Sequence, residues 1–134
     1  KLAIKPGNPF AFGHLPNSYL IGLPDNPVSA LVTLHQLAIP MLRKISGQEA
    51  KASLRLNAIT LDKLHKRPGR MDFQRGYYTI SAAGHVQVKA TGAQGSGILT
   101  SMSQANCYIV LPQDSGNVEA GQSVVIEPFD ALLN

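Results

Sequence analysis

The 134-residue chain lacks the features that define several classes of protein. It contains no Trp and a single Cys, which excludes a disulfide framework. Charged residues make up only 15% of the chain and hydrophobic residues 44%, a balance typical of globular rather than disordered proteins. The sequence has neither a signal-peptide pattern nor an apolar run of membrane-spanning length. We therefore expect a cytoplasmic protein with no membrane partner.

The positive charge of the chain permits an anionic ligand without identifying one. The net charge is +4 and the isoelectric point is near 9.4. Four of the twelve Lys and Arg residues lie within eight positions, namely Lys63, Lys66, Arg67 and Arg70. This cluster could meet phosphates, but a solvated basic loop is the commoner explanation. We therefore predict an exposed basic loop between Lys63 and Arg70.

The stretch from Gly22 to Ala30 combines a turn with the start of a helix. Pro27 suits the first helical position, because its φ is already helical and its missing N–H is not needed there. Asn26 is the natural N-cap, with its side-chain oxygen facing the N–H groups of Val28 and Ser29. Since the start of a helix carries partial positive charge, this corner is either an anion site or only a well-capped helix.

Residues 1–47 predict α/β material with three short strands and one long helix. The apolar runs Leu2–Ile4, Phe10–Phe12 and Tyr19–Ile21 predict the strands, and helical spacing extends from Pro27 to about Ser46. Pro40 predicts a kink in this helix, and Gly47 predicts its end. The chain opens on Lys1 rather than Met, within a predicted strand, so we expect a piece of a longer protein.

Residues 53–134 change from helical to alternating periodicity, which predicts a small all-β domain. Apolar side chains alternate around Leu54–Ala58, Met71–Arg75 and Val86–Ala90, whereas Cys107–Leu111 and Val124–Ile126 are continuously apolar. Five short strands at this spacing are typical of a small β-barrel or sandwich. Cys107 lies in a predicted central strand, so we expect a buried, inert thiol there.

Several motifs in both halves together resemble one known family. They are Ile4–Gly13, Gly22–Ala30, Pro68–Gly76, Gly92–Ser96 and Gly116–Gly121. In this order they resemble the end of the third domain and the C-terminal domain of the MoeA family, the molybdopterin molybdenumtransferases that include the gephyrin E domain. The resemblance covers the whole chain. It implies that residues 1–47 are the end of a molybdopterin-binding α/β domain and residues 53–134 a C-terminal β-barrel.

The resemblance also implies an enzymatic role in molybdenum cofactor biosynthesis. Family members insert molybdate into adenylylated molybdopterin with release of AMP, assisted by Mg²⁺, and act as homodimers. The resemblance places the Mg²⁺ ligands upstream of Lys1, and no catalytic residue or metal ligand is identifiable in this chain. We therefore expect the chain alone to be inactive.

The family resemblance assigns anion-binding or site-shaping roles to particular residues. Lys5 matches an anion-binding lysine, and Lys1 matches a second such position less closely. Pro24 and Pro27 match a Pro-x-x-Pro turn that shapes the site, and Asn26 and Ser29 lie at the same corner. Arg75 and Ser96 match positions through which the C-terminal domain contributes to the site. For Arg75 a cross-strand ion pair is an open alternative, and for Ser96 a role limited to its turn.

Two residues depart from the family pattern and lower the positive charge of the predicted site. Asp25 stands where the family usually has glycine, and Asn8 where it often has lysine. At an effective dielectric near 20, two like charges ~6 Å apart repel by roughly 3 kcal/mol before screening. Asp25 therefore disfavours an anion unless its side chain points away or holds a metal.

Two other functions remain open from the sequence. The first is a non-catalytic interaction or oligomerisation module, favoured by the basic loop and by a helix too apolar for one small sheet to cover. The second is nucleic-acid binding, which needs aromatic side chains beside the basic loop. Phe73, Tyr77 and Tyr78 are candidates, but at least two of them fit the interior better. We therefore expect no nucleic-acid partner.

Overall fold

The structure is a computed structural model that describes residues 4–5, 11–16, 18–22, 27–49, 53–92 and 104–129. Its strands are β1 (Ile4–Lys5), β2 (Ala11–Leu15), β3 (Ser18–Gly22), β4 (Leu56–Thr60), β5 (Met71–Ile80), β6 (Val86–Ala90), β7 (Cys107–Leu111) and β8 (Ser123–Pro128). Between β3 and β4 lie α1 (Pro27–Thr33), a π-helical segment (Leu34–Ala38) and α2 (Ile39–Ile45).

The five strands β4 to β8 close into a small barrel, as the periodicity predicts. Going round the barrel, the order is β5, β6, β4, β8 and β7, and β7 pairs again with β5. All neighbours are antiparallel except β4 and β6, which are parallel. Alternate side chains of β4, β6, β7 and β8 point inward and, together with Leu64 from the segment after β4, form one core: Ala58, Leu64, Val88, Cys107, Ile109, Leu111, Val124 and Ile126.

Strand β5 closes the barrel by changing partner at Gly76. The first half of β5 pairs with β7 and the second half with β6, and Gly76 is in register with both Ala90 and Cys107. A Cβ atom at this position would lie 2.9 Å from Ile109 Cγ1 and 3.0 Å from the Lys89 carbonyl oxygen. Glycine therefore allows the close approach of the strands at this position, whereas a larger residue would force Ile109 or the backbone of Lys89 to shift.

Two details of the barrel differ from the sequence-based expectation. Leu54 precedes β4 and is exposed, so it does not belong to the predicted strand. The predicted exposed basic loop is wrong at Lys66, which is only 6% exposed. The Lys66 ammonium donates to the carbonyl oxygens of Arg67, Gln113 and Ser115 at 2.8, 3.4 and 3.2 Å. Such a side chain joins loops at one end of the barrel rather than contacting solvent.

The helical region begins and ends where the sequence predicts. It starts at Pro27 and stops at Ile45, and Gly47 follows with a φ of 81°. The predicted kink near Pro40 corresponds to a widened π-helical turn, in which the Ile39 N–H donates to the Leu34 carbonyl. Because Pro40 has no N–H for the carbonyl four residues earlier, the regular α-helical pattern is interrupted there.

The three short strands of the first half are present, but they do not form one sheet among the described residues. Strand β1 pairs in parallel with β5 of the barrel, with Ile4 opposite Met71 and Lys5 opposite Asp72. Strands β2 and β3 form a separate antiparallel pair. The assignment of residues 1–47 to an α/β domain therefore stays a prediction, whereas the barrel with its helix is established.

The helix packs on the outer face of the barrel formed by β5, β7 and β8. Val28 and Val32 are fully buried in a second apolar cluster with Phe73, Tyr108 and Val110. This packing fixes the start of α1 against β5 and β7. Among the described helices, none combines the length and apolar character that a membrane crossing requires.

Candidate functional site

A row of three buried polar side chains crosses the barrel beneath the helix. Arg75 on β5 is in register with Tyr108 on β7, and Tyr108 is in register with Glu127 on β8. All three residues are 0% exposed. Residues in register on neighbouring strands project from the same face, so a cation, a hydroxyl and a carboxylate lie side by side. We call Arg75, Tyr108 and Glu127 the polar row.

The π-helical segment supplies two side chains that contact this polar row. A hydrogen bond of 2.9 Å joins His35 Nδ1 to the Tyr108 hydroxyl, and the Gln36 side-chain amide donates to Glu127 Oε2. Two consecutive helical residues thus reach two adjacent strands. The ring of Tyr108 also packs edge-on against Phe73 and Phe129, with centroids 5.9 and 4.8 Å apart.

Glu127 is fully buried, but only one of its two carboxylate oxygens accepts a hydrogen bond. Its Oε1 atom lies 3.6 Å from Arg55 Nε, an ion-pair distance that is too long for a hydrogen bond. Among the described residues, Glu127 Oε1 and Thr33 Oγ1 are the two buried side-chain oxygens without a hydrogen-bond partner. A buried carboxylate depends strongly on its remaining contacts, because an unpaired charge in the interior is costly.

Burial keeps the two aromatic members of this network in their neutral forms. Burial lowers the pKa of His35, and the nearby charge of Glu127 opposes this effect only in part. Burial raises the pKa of Tyr108, although the Arg75 guanidinium opposes the rise. Burial also lowers the pKa of Arg75, against the opposing effects of Asp72 and Tyr108. The hydrogen bond between His35 and Tyr108 therefore joins two uncharged groups at neutral pH.

The single cysteine, Cys107, has a buried thiol. Cys107 faces the barrel core and is fully buried, and burial raises its pKa to about 12. Such a thiol is protonated at neutral pH and is a poor nucleophile. The prediction of a buried thiol is confirmed, and its raised pKa favours the predicted inertness.

The residues predicted to bind an anion fall into two groups. Lys1, Pro24, Asn26 and Ser96 lie outside the described residues. Of the others, Lys5 lies in β1 beside β5, Pro27 opens α1, and Ser29 is buried in the first turn of α1. Ser29 already has an interaction partner within the chain.

Arg75 lies near the strand of Lys5 but not at the surface. Its position on β5 is three residues after Asp72, the register partner of Lys5. The Arg75 guanidinium donates to the Phe73 carbonyl at 2.9 Å, and Asp72 and Tyr108 act on it electrostatically. Arg75 is therefore an internal residue between the barrel and the helix, and the alternative of a cross-strand ion pair stays a prediction.

Sequence reasoning missed Tyr108, Glu127, His35 and Gln36. Glu127 did carry a signal, because it is the one charged residue within the apolar strand β8. Tyr108 carried none, since a tyrosine in an apolar strand usually serves packing alone. Among the described residues, no group of three or more His, Cys, Asp or Glu side chains could hold a metal ion.

Comparison with known proteins identifies the barrel. The family described as the MoeA C-terminal region, domain IV, matches residues 57–129, which is more than half of the chain. The chain belongs to this MoeA family. The matched range begins within β4 and ends just after β8, so it coincides with the closed barrel.

Relatives of this MoeA chain extend the similarity to its first half. It is 51% identical over 134 residues to a molybdopterin molybdenumtransferase of Haemophilus influenzae, covering 99% of the chain and 33% of that protein. It is 33% identical over 133 residues to the Drosophila melanogaster molybdenum cofactor synthesis protein cinnamon, covering 98% of the chain and 22% of that protein. The chain thus spans a third or less of the length of these curated relatives.

Solved structures show the same fold. A crystal structure of a molybdopterin biosynthesis MoeA protein from Pyrococcus horikoshii matches with a TM-score of 0.71 and 28% identity. The match covers 95% of this chain and 30% of that chain. The similarity therefore includes the helix and the short strands as well as the barrel.

Proposed function

We propose that this chain is part of a molybdopterin molybdenumtransferase that acts in molybdenum cofactor biosynthesis. In the proposed reaction, molybdate attacks adenylylated molybdopterin, AMP leaves, and molybdenum is transferred to the molybdopterin. The observation that carries this proposal is the 51% identity to the Haemophilus influenzae enzyme over almost the entire chain. The chain corresponds to one third of that relative, and we assign to it a part of the site.

Two elements of the chain support an oxyanion site at one corner of the barrel. Strand β1, which carries Lys5, lies directly beside β5, and the helix that opens at Pro27 packs on the same strand through Phe73. The positive end of a helix dipole and a lysine ammonium both favour an anion. We assign to them the binding and orientation of a tetrahedral oxyanion such as molybdate. Lys1, Pro24, Asn26 and Ser96 remain proposed members of this site.

The described residues do not fit a magnesium site. Mg²⁺ needs several oxygen ligands, usually including carboxylates, and no suitable acidic group is present among the residues that the structure describes. As the family resemblance implies, we propose that carboxylates upstream of Lys1 hold the Mg²⁺ of the reaction. The proposed roles of this chain are therefore limited to binding and orienting the oxyanion.

We also propose that the full-length protein is a homodimer in the cytoplasm. Two large apolar side chains of α2, Leu42 and Ile45, are exposed, which supports association through the end of the helix. The buried thiol of Cys107 is compatible with a reducing compartment. Sedimentation of the full-length protein at micromolar concentration tests this proposal, and a strict monomer would contradict the dimer.

The exposed apolar side chains also favour the second candidate, an interaction module without catalytic function. The barrel contributes Ile59, Leu61 and Tyr77 to its exposed surface. Molybdate-dependent AMP release distinguishes the two candidates, because an enzyme would show this activity and an interaction module would not need to.

The structure bears on the aromatic side chains that nucleic-acid binding would need. Phe73 is buried beneath the helix and Tyr78 packs against the barrel core, so two of the three aromatic candidates for nucleic-acid stacking are internal.

AMP release by the full-length protein is the direct test of the proposed reaction. With adenylylated molybdopterin and molybdate, we expect release that depends on molybdate and falls at least about tenfold in Lys5→Ala, the loss expected for a charge-assisted hydrogen bond. Lys44→Ala is the matched control, since Lys44 is exposed at the end of α2. The 134-residue chain alone should release none. Equal rates for both variants would contradict the role of Lys5, and no molybdate dependence would contradict the reaction.

A further inference from the structure

We propose that the polar row of Arg75, Tyr108 and Glu127 is a positioning device for the oxyanion site. It holds the helix that opens at Pro27 in a fixed position relative to strand β5, and hence relative to Lys5. The three residues act through the helix and the strand, not by touching the oxyanion. This inference rests on the proposed function, because it concerns the geometry of the same site.

Polar contacts fix the helix more specifically than apolar packing alone. The apolar contacts of Val28 and Val32 with Phe73 and Val110 are not directional, so they tolerate small slips of the helix. The hydrogen bonds of His35 with Tyr108 and of Gln36 with Glu127 each require one position and orientation. A slip of the helix would break both hydrogen bonds and leave buried groups unpaired.

The polar row connects the two halves of the proposed site. Ser29 lies six residues before His35, which is about 9 Å along a regular helix, so a shift at His35 passes directly to the first turn. At the other end of the row, Arg75 lies on β5, whose first residues pair with the strand of Lys5. The Glu127 carboxylate and the Tyr108 hydroxyl therefore hold the helix. Arg75, the third member of the row, belongs to β5, the strand that pairs with the strand of Lys5.

Glu127 is placed for this task rather than for stability alone. Oε1 of this buried carboxylate has an ion-pair contact with Arg55 but no hydrogen bond, and a buried ion pair is a poor means of stabilising a fold. The carboxylate instead selects the helical residue that contacts β8, because it accepts a hydrogen bond from Gln36. The glutamine that donates to it is adjacent to the histidine that contacts Tyr108, so both polar contacts come from one turn of the helix.

The first test compares the molybdate dependence of AMP release in full-length variants. We expect Tyr108→Phe and Glu127→Leu to raise the molybdate concentration for half-maximal rate by about fivefold, the effect of one hydrogen bond. Glu127→Gln keeps an acceptor for Gln36 and should stay close to the unsubstituted protein. The matched control is Thr60→Val, which removes a fully buried hydroxyl that bonds to the backbone of Asp62 and not to the polar row or the helix. A purely structural role would lower the melting temperature of Tyr108→Phe and of Thr60→Val without raising the half-maximal concentration in either.

The second test is hydrogen exchange of the backbone amides in residues 28–36, which does not depend on activity. Tyr108→Phe should speed this exchange by about fivefold, and Thr60→Val should leave it unchanged. Equal exchange and equal half-maximal concentrations in the two variants would overturn the positioning role. If the unsubstituted full-length protein releases no AMP, the proposed function fails, and the exchange comparison still decides whether the polar row holds the helix.

Discussion

At the scale of single residues, this small protein handles buried polar groups in two different ways. Lys66 is surrounded by backbone carbonyl oxygens, which accept from its ammonium. Glu127 is instead approached by side chains from the helix and from Arg55. The first arrangement joins loops of the barrel, and the second joins the barrel to a separate element.

Replacement of Lys66 should show how much its hydrogen bonds to carbonyl oxygens contribute to the free energy of unfolding. We expect Lys66→Met to lower the free energy of unfolding by about 2 kcal/mol, because three carbonyl acceptors lose a charged donor. Lys63→Met is the matched control, since Lys63 is 49% exposed and its partner Glu119 is 64% exposed. Its effect should stay within about 0.5 kcal/mol. Urea unfolding measures both variants, and equal losses would contradict the structural role of Lys66.

The same substitution at two buried threonines should change stability in opposite directions. Thr33 Oγ1 has no hydrogen-bond partner among the described residues, whereas Thr60 Oγ1 bonds with the backbone of Asp62. Thr33→Val should therefore raise the free energy of unfolding by about 1 kcal/mol, and Thr60→Val should lower it by about 1 kcal/mol. Thermal and urea unfolding check the signs. A loss of stability in Thr33→Val would show that its hydroxyl has a partner.

At the scale of elements, local sequence signals predicted the limits of the helix and the barrel strands, because these depend on residues close together in the chain. The start of the helix at Pro27, its end before Gly47 and the five barrel strands were predictable, because caps and periodicity are local. The alternation of apolar side chains also extended wrongly to Leu54, which the barrel leaves exposed. Alternation cannot tell where pairing with another strand begins.

The polar row could not be predicted from the sequence, because it depends on strand register. Arg75, Tyr108 and Glu127 are far apart in the chain and become neighbours only when β5, β7 and β8 pair. Burial of Lys66 was equally hidden, since its acceptors include the distant Gln113 and Ser115. The sequence predicted the strand of Lys5 and the start of the helix, but their positions beside β5 depend on pairing and packing that the sequence does not show.

The contact between helix and barrel should weaken at mildly acidic pH through His35. Burial lowers its pKa below the ordinary 6.5, so below that pH the unfolded chain binds a proton more readily than the folded chain. The contribution of His35 to stability is therefore complete above pH 6.5 and is lost as the pH falls towards its folded pKa. The facing groups are Glu127, which opposes the shift, and the neutral Tyr108.

Substitution of His35 isolates this pH effect. Urea unfolding at about pH 7.5 and about pH 5.5 should show a smaller loss of stability on acidification in His35→Gln than in the unsubstituted protein. Glutamine keeps a hydrogen-bonding group near Tyr108 but does not titrate. An identical loss in both proteins would contradict a lowered pKa of His35.

At the scale of the whole molecule, the chain combines a closed barrel with a helix and short strands that meet at β5. The barrel is the MoeA C-terminal region, and the similarity to a Haemophilus influenzae molybdopterin molybdenumtransferase extends across the helix to the first strand. The elements that bring Lys5 and the helix start to β5 lie within this similarity. The proposed oxyanion site is thus built by the junction between the two halves of the chain.

The most direct measurement is a crystal structure of the full-length protein soaked with tungstate, a heavy analogue of molybdate. We predict a tungsten atom beside the Lys5 side chain and the first turn of the helix that opens at Pro27. Well-ordered crystals with this corner accessible and no heavy atom bound there would contradict the account.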